Sequence, residues 1–406
     1  MNSKRDEKKL LRFTYIFCLI CFINLGILRW PRENFDKNAI IIGLIVCVLI
    51  AYAHFVIRKF FPDGDKYIQI FASILTVIGI VLLYRIDSVH AIKQIIWFTV
   101  GMVGFIMIVV LLPDLKRFSK YKYVYLIFTV VLMAMGTLFA KATNGSKNWI
   151  SVGGIVFQPS EFGKLFLVAY LASALKNYKE YKDLIQPAIV VMMCLGFMVL
   201  QKDLGSALLF FGISVTMLYI ATSKLKYVFT CFGLFAAGSV ISYKLFPHVR
   251  VRFDIWNNVW NYVHTQGYQI VQSMIAIASG GLFGVGLGQG YPQFVPINTT
   301  DFIFAILSEE MGGLMAFAVL ILYFLLIYRS MRAAVYTEDK FSALVAVGYS
   351  SMIATQVLVI VGGVINMIPL TGITLPLISY GGSSMITTFF ALGILQKISE
   401  EGTAVE

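Results

Sequence analysis

Asp301 stands in the run Thr299-Thr300-Asp301-Phe302-Ile303-Phe304, where a long polar loop gives way to a long apolar stretch. A carboxylate at such a boundary can take a proton from a substrate hydroxyl, and it can equally cap the helix that follows. Ser308 comes seven residues later, about 10 Å along a helix and on the same face, and Glu309 and Glu310 follow it. Two adjacent acids inside an apolar helix cannot both face lipid cheaply, so at least one needs a partner or a watery cavity. In Gln158-Pro159-Ser160-Glu161-Phe162-Gly163-Lys164, Pro159 marks a helix start, and Glu161 and Lys164 share one helix face. They can form a structural ion pair, or Lys164 can face an anionic ligand while Glu161 holds it in place. Asp203, in Gln201-Lys202-Asp203-Leu204-Gly205-Ser206, can cap the next helix, with Lys202 adding positive charge beside it. Asn144-Gly145-Ser146-Lys147-Asn148-Trp149-Ile150 reads as a glycine turn followed by an interfacial Trp149.

Two glycine-bearing segments complete the set. Gly280–Gly290 carries six glycines, but it lacks the strand and helix that give a dinucleotide fingerprint its meaning. It reads as flexible backbone that lets a bulky lipid-linked substrate approach. Leu370–Ser384 mixes Gly, Pro and hydroxyl residues just inside an apolar stretch, so it should break a helix and line a central cavity. His54, His90, His248 and His264 show no metal-ligand spacing, and no nucleotide cradle, HExxH or GxSxG occurs. Cys18, Cys21, Cys47, Cys194 and Cys231 all lie in apolar runs and read as small hydrophobes.

The elements that must position these residues are set by composition. Of 406 residues, 59% are hydrophobic and 13% charged, with a mean hydropathy of +0.81. That is an all-α polytopic membrane protein. Twelve spans are expected at 11–28, 38–57, 67–85, 91–112, 122–140, 160–175, 185–200, 204–221, 226–244, 303–328, 342–363 and 376–396. Arg29-Trp30-Pro31 after the first run argues against a cleaved signal peptide. With the N-terminus in the cytoplasm, twenty-one of the 33 Lys and Arg fall on inner segments, which favours both termini inside. The net charge of +12 then anchors the cytoplasmic leaflet and does not mark a nucleic-acid site. The chain divides into N-terminal helices (1–120), core helices with an outer Trp loop (121–244), a large outer loop rich in aromatics (245–302) and C-terminal core helices (303–406).

Taken together and in order, Gly145–Ile150, Gln158–Lys164, Asp203–Ser206, Gly267-Tyr268-Gln269 with Gln272-Ser273, Gly280–Gly288, Asp301–Ala305 with Glu309-Glu310, and Leu375–Ser384 resemble the SEDS family of shape, elongation, division and sporulation proteins. The resemblance implies a ten-helix core, here with two extra N-terminal helices. It implies a peptidoglycan glycosyltransferase that polymerises lipid II at the outer face of the bacterial cytoplasmic membrane, beside a class B penicillin-binding protein. Asp301 matches the family's essential loop aspartate. Trp149, Glu161, Lys164, Asp203, Gln269, Glu309 and Ser379 fall where the family motifs carry the same residues. On this reading Asp301 is the general base, with Glu161, Glu309 and Glu310 in support. Lys164, Lys202 and Arg252, or a divalent cation such as Mg or Mn, neutralise the departing pyrophosphate. Asn148, Lys202, Ile297 and Thr299 replace the family's Arg, Pro, acidic residue and His. A lipid II flippase and an inactive scaffold for the penicillin-binding protein are the competing functions.

Overall fold

The computed structural model describes residues 2–28, 35–143, 146–403 of the chain. Arg29-Trp30-Pro31 and the Asn144-Gly145 turn fall outside the described residues. The apolar runs fold as α1 (Asn2–Ile27), α2 (Lys37–Phe60), α3 (Tyr67–Ile86), α4 (Ser88–Leu111), α5 (Lys122–Phe139), α6 (Pro159–Leu175), α7 (Ile185–Leu200), α8 (Leu204–Thr222) and α9 (Leu225–Leu245). After two shorter helices, α10 (Pro247–Asn257) and α11 (Tyr268–Gly280), come α12 (Ile303–Tyr336), α13 (Lys340–Val364) and α14 (Gly382–Thr403). Aspartates start several of them: the carboxylates of Asp36, Asp87, Asp203 and Asp339 accept backbone N–H bonds from the first turns of α2, α4, α8 and α13. Among the described residues, ten helices are long and apolar enough to cross a membrane, which makes this a multi-pass membrane protein. Neither α6, which carries Glu161 and Lys164, nor α14 is among the ten.

Two expectations change. The final helix starts at Gly382, not 376, because 376–381 is irregular backbone. The chain is also not wholly helical. The segment expected as a plain outer loop forms an antiparallel sheet of β1 (Lys141–Thr143), β2 (Ser146–Val152) and β3 (Ile155–Phe157), in the order β1-β2-β3. Gly153 and Gly154, both at positive φ (58° and 84°), close the β2–β3 hairpin, the backbone that a two-residue hairpin turn demands.

The bundle interleaves early and late helices: α4 packs along α14, α12 along α3 and α13, and α5 along α6. α3 is almost wholly buried, whereas α9 has no buried residue and lies at the margin.

α12 is broken at Gly312 (φ 83°, ψ 168°). In an unbroken helix the N–H groups of 313 and 314 would bond the carbonyls of 309 and 310. Here Gly313 and Leu314 donate instead to Gly281 O (2.8 Å) and Leu282 O (3.1 Å). The carbonyls of Glu309 and Glu310 accept from Val285 N (2.9 Å) and Gly286 N (3.0 Å). The glycine segment is therefore spliced into the helix, and two helical bonds become four cross-chain bonds. This corrects the expectation of a flexible loop: its glycines permit contact, not motion. A Cβ on Gly284 would meet Glu310 O at 2.4 Å, and one on Gly280 would meet Ser308 O at 2.1 Å. Side chains reinforce the splice. Glu309 accepts from Tyr291 N (3.1 Å), Glu310 from Gly288 N (2.9 Å), and Arg85 of α3 pairs with Glu310 (3.2 Å) while donating to Gly288 O and Gly290 O.

A second tie runs through the bundle centre. Lys164 is 1% exposed. Its Nζ lies 2.7 Å from Glu161 Oε2 and donates to Gln356 Oε1 at 3.0 Å. Gln356 in turn donates to Thr374 O, and Thr387 donates to Glu161. α6, α13, α14 and the irregular stretch before α14 are thus joined by one buried network.

Gly284→Ala is expected to lower stability by about 2–4 kcal/mol, since it adds a backbone clash to a positive φ. Gly153→Ala, also at positive φ but with nothing within 4 Å, should cost no more than about 1 kcal/mol. Thermal melting in detergent compares the two; equal losses would mean that backbone strain alone, not the splice, governs position 284. Lys164→Ala should cost about 3–5 kcal/mol by leaving Glu161 buried and unpaired, and Glu161→Gln/Lys164→Met should recover most of that. Unchanged melting of Lys164→Ala would remove the network from the account of stability.

Candidate functional site

Asp301 lies two residues before α12 and does not cap it. Phe302 holds the N-cap position, and no side chain there makes a capping bond. Asp301 is half-buried, with its carboxyl set among protein atoms. Burial pushes its pKa up to about 6, against the lowering effects of the Thr300 hydroxyl and the Arg252 charge. It is the acid in this region with no fold-building bond of the kind that Asp203, Glu309 and Glu310 make.

The backbone around Asp301 is fixed by the irregular stretch 365–381. Ser379 Oγ donates to Thr300 O (2.6 Å), Tyr380 N to Thr299 O (2.9 Å), and Leu375 N to Ser379 Oγ (2.9 Å). Gln94 of α4 holds the far side, donating to Ser379 O and accepting from Gly381 N. Tyr323 of α12 donates to Pro376 O. Gly372, at φ 70°, brings this stretch against the acid: a Cβ there would lie 3.4 Å from Asp301 Oδ2.

Arg252 of α10 supplies the positive charge. Its Nη1 donates to Leu370 O (3.1 Å) and Thr371 O (3.2 Å), the residues just before Gly372. Burial lowers its pKa, while the charges of Asp203 and Asp301 pull it back up. A guanidinium stays protonated in either case. Both bonds come from Nη1, and among the described residues Nη2 and Nε make no bond to protein, so they can meet an anion.

An apolar groove of about 660 Å³ leads to the same place. It runs between α7, α8 and α9, past Leu195, Phe211 and Phe235, and ends at Val249 and Phe253 of α10 and at Leu370-Thr371. A hydrocarbon chain lying in it would bring its polar head to Arg252.

The other residues singled out in the sequence take different places. Asp203 is 4% exposed and saturated: its carboxylate accepts from Ser206 N and Oγ, Asn148 Nδ2 (2.8 Å) and Gln158 Nε2 (3.1 Å). It caps α8 and clamps β2 to the α7–α8 turn, so it is not open to a ligand. Asn148, read as a lost Arg, is its buried partner. Lys164 is sealed inside, so the expectation that it faces an anion gives way to the ion pair. Glu161 shares that pair, and Glu309 and Glu310 hold the glycine splice. Ser379 is 3% exposed and positions the Asp301 loop, with no free face for substrate. Ser308 is buried and donates to its own helix at Phe304 O. Lys202 is exposed, in a left-handed backbone conformation next to Asp203. Trp149 on β2 and Gln269 on the first turn of α11 are each half-buried. Arg85, Gln94 and Gln356 escaped the sequence reading; the only hint was a polar residue inside an apolar helix. The donors do not form a resident metal centre. Asp301 is a lone carboxylate beside a guanidinium, and no three His, Cys, Asp or Glu side chains converge among the described residues.

Known proteins resemble this chain in sequence and in fold. RodA of Mycobacterium tuberculosis, named a peptidoglycan glycosyltransferase, is 36% identical across 98% of this chain and 91% of its own length. The stage V sporulation protein E of Bacillus subtilis is 34% identical, across 82% of this chain and 96% of its own. A chain from a solved peptidoglycan synthase complex that coordinates polymerization and crosslinking superposes with a TM-score of 0.72 at 26% identity, over 83% of this chain and 97% of that one. The family's sequence model, described as a cell cycle protein, matches residues 65–404, from just before α3 to the end of α14, and leaves α1 and α2 outside. With the match spanning the Asp301 loop, the broken α12 and the irregular stretch before α14, this chain belongs to the FtsW/RodA/SpoVE family of cell cycle proteins.

Proposed function

We propose that this protein is a peptidoglycan glycosyltransferase that polymerises lipid II at the outer face of the bacterial cytoplasmic membrane, with Asp301 as general base. The observation that carries the reading is the position of Asp301. It is an uncapped, half-buried acid beside Arg252, at the head of a long apolar groove. The names of the family relatives supply the reaction class, peptidoglycan glycosyl transfer.

The chemistry needs two things at one point. The acceptor sugar 4-hydroxyl must lose its proton as its oxygen bonds the donor's anomeric carbon. The bond from that carbon to the pyrophosphate oxygen must break, with the electron pair leaving on polyprenyl pyrophosphate. Asp301 takes the proton, because a pKa near 6 leaves it ionised at neutral pH while keeping it basic enough to accept. Arg252 stabilises the charge that grows on the departing pyrophosphate, and the exposed Lys202 adds to the positive field. Direct displacement inverts the anomeric centre. The groove between α7, α8 and α9 takes the donor's tail. Any divalent cation would arrive with the pyrophosphate, since no three His, Cys, Asp or Glu side chains converge among the described residues.

In this reading α6 and α14 complete twelve spans, both termini lie in the cytoplasm, and α10, α11 and the sheet face outward. A class B penicillin-binding protein cross-links the product, in line with the synthase complex whose chain this one resembles. Cell shape, division or sporulation is the process served, as the relatives' names indicate.

Asp301→Asn should cut glycan polymerisation by about 10²–10⁴-fold with melting unchanged, measured as glycan ladders from purified protein and labelled lipid II. Full-rate polymer from the variant would end the base role, and leaflet transfer without ladders from the wild type would favour the flippase. The wild-type rate should rise with pH through a midpoint near 6 and level off roughly one unit above it, since only the ionised acid accepts a proton. Arg252→Gln removes a charge that lowers the Asp301 pKa, so the rising limb should move to higher pH as the rate falls.

A further inference from the structure

The groove between α7, α8 and α9 has two ends. The outer one, at Val249, Phe253 and Thr371, is the end beside Arg252. The other lies where α6 and α8 finish and α7 and α9 begin, at Leu175, Leu184, Leu218 and Tyr227. An aromatic stack stands between the two. Phe211 of α8 meets Phe235 of α9 at 4.2 Å and Phe232 at 5.3 Å. α9 buries no residue, so its inner half walls the groove instead of packing into the bundle. Tyr227 and Phe235 are eight residues apart, about 12 Å along the helix. The hydrocarbon of one leaflet is about 15 Å deep. The inner half of the groove therefore suits one acyl chain of one leaflet.

The rim of this inner end is basic and tied together. The Tyr178 and Tyr227 hydroxyls lie 3.2 Å apart, and Lys224 Nζ donates to the Tyr178 hydroxyl at 3.2 Å. Lys224 and Lys226 also lie over the Tyr178 and Tyr227 rings, at 5.5 and 5.0 Å. The loop after α6 thus meets the loop before α9 across the mouth. Lys179 and Lys182, on the first of these loops, are exposed and form no salt bridge among the described residues. Two acids share that loop, and both fold back on it. Asp183 accepts from the N–H groups of Lys179 and Glu180, and the Glu180 carboxylate accepts from the Asp183 N–H. The four lysines are the charge that the mouth presents outward.

In the topology given above, with both termini in the cytoplasm, this mouth opens on the inner leaflet, where anionic headgroups collect. We propose that it is a binding site for one anionic phospholipid of that leaflet, with an acyl chain between α7 and α9 and the phosphate among Lys179, Lys182, Lys224 and Lys226. A zwitterionic lipid fits the apolar part equally well but brings its own cation to the lysines, so charge makes the selection. The bound lipid fills the groove below the Phe211–Phe235 stack and braces α9 against α7, while the donor's tail enters above the stack. The assignment rests on the topology and not on the transfer chemistry.

The test uses the full chain in phosphatidylcholine nanodiscs, with a benzophenone amino acid in place of Thr230, which lines the inner half. Radiolabelled phosphatidylglycerol is the probe, and the phosphatidylcholine of the disc is the zwitterionic competitor in excess. Label should cross-link at position 230. Unlabelled phosphatidylglycerol should compete it away, and inorganic phosphate should not. The triple variant Lys179→Gln/Lys182→Gln/Lys224→Gln should cut the label by about tenfold or more, since one lysine near an anionic surface is worth about fivefold. A second triple variant, Lys116→Gln/Arg117→Gln/Lys120→Gln, removes as much charge from the loop after α4 and should leave the label intact. Tyr178→Phe/Tyr227→Phe breaks the tyrosine bond, keeps the lysines and should also keep the label. Equal loss in the two triple variants would mean diffuse attraction to the leaflet and would overturn the site. So would displacement by phosphate, or label that the lysine changes leave untouched. Failure of the topology looks different: an impermeant maleimide would then label Lys179→Cys in intact cells.

Discussion

Backbone broken inside a membrane must find new hydrogen-bond partners, because lipid offers none. The protein breaks its backbone twice within the helical bundle, at Gly312 and along 365–381, and the freed groups that matter are rebound by specific segments. At the first break the glycine segment takes over the carbonyls of 309 and 310 and satisfies the N–H groups of 313 and 314. At the second, Gln94, Ser379, Tyr323 and Arg252 bind the exposed carbonyls and amides. Asp301 sits between the two repairs. Its loop is bonded to the second at Thr299 and Thr300, and the helix it precedes is spliced to the first nine residues further on. The acid keeps its place without lending its own carboxylate to the fold, and that leaves it available to chemistry.

The charges sort by the same logic. A buried ion is tolerable only when paired, and pairing uses up its capacity to bind anything else. Lys164, Glu161, Asp203, Glu309 and Glu310 are all buried, and each is committed to backbone or to an opposite charge. Arg252 differs in that its bonds go to carbonyls, and among the described residues no salt bridge compensates its charge. Its electrostatic partners are Asp203 and Asp301, and Asp203 is already saturated. The uncompensated pair at the site is therefore Arg252 with Asp301, one cation and one base.

Much of this was legible in the sequence. Where an apolar run of lipid-spanning length exists, a helix follows: the expected stretches are helical over most of their length, the last only from Gly382, and ten helices among the described residues are long and apolar enough to cross a membrane. The break before α14 could be read from Gly372, Pro376 and Gly381-Gly382, since those residues cannot continue a helix cheaply. The sheet was missed although Gly153-Gly154 between β-branched runs is a hairpin signal; strands of three residues give too little alternation to register. The sense of the glycine segment was inverted. A residue without a side chain allows either motion or close approach, and only its neighbour, here α12, decides which. Partners far apart in sequence stayed hidden for a related reason. Nothing local to Lys164 announces Gln356, and nothing local to Glu310 announces Arg85.

The position of α1 and α2 follows from the same splice. They lie outside the span that the family model matches, yet they touch the part of the core that braces α12. A Cβ on Gly288 would meet Leu28 Cδ1 at 2.2 Å, so the end of α1 seats directly on the glycine segment. Tyr84, next to Arg85, donates to Asp36 at the start of α2 (2.6 Å). Arg85 is thus flanked on one side by a bond to the added hairpin and on the other by Glu310 and the carbonyls of Gly288 and Gly290. The hairpin extends the core's own bracing outward by one layer, from α12 through the glycine segment to α1. α1 and α2 also pack on α3 and α4, so a shift of the hairpin bears on the splice both directly at Gly288 and through Arg85 of α3.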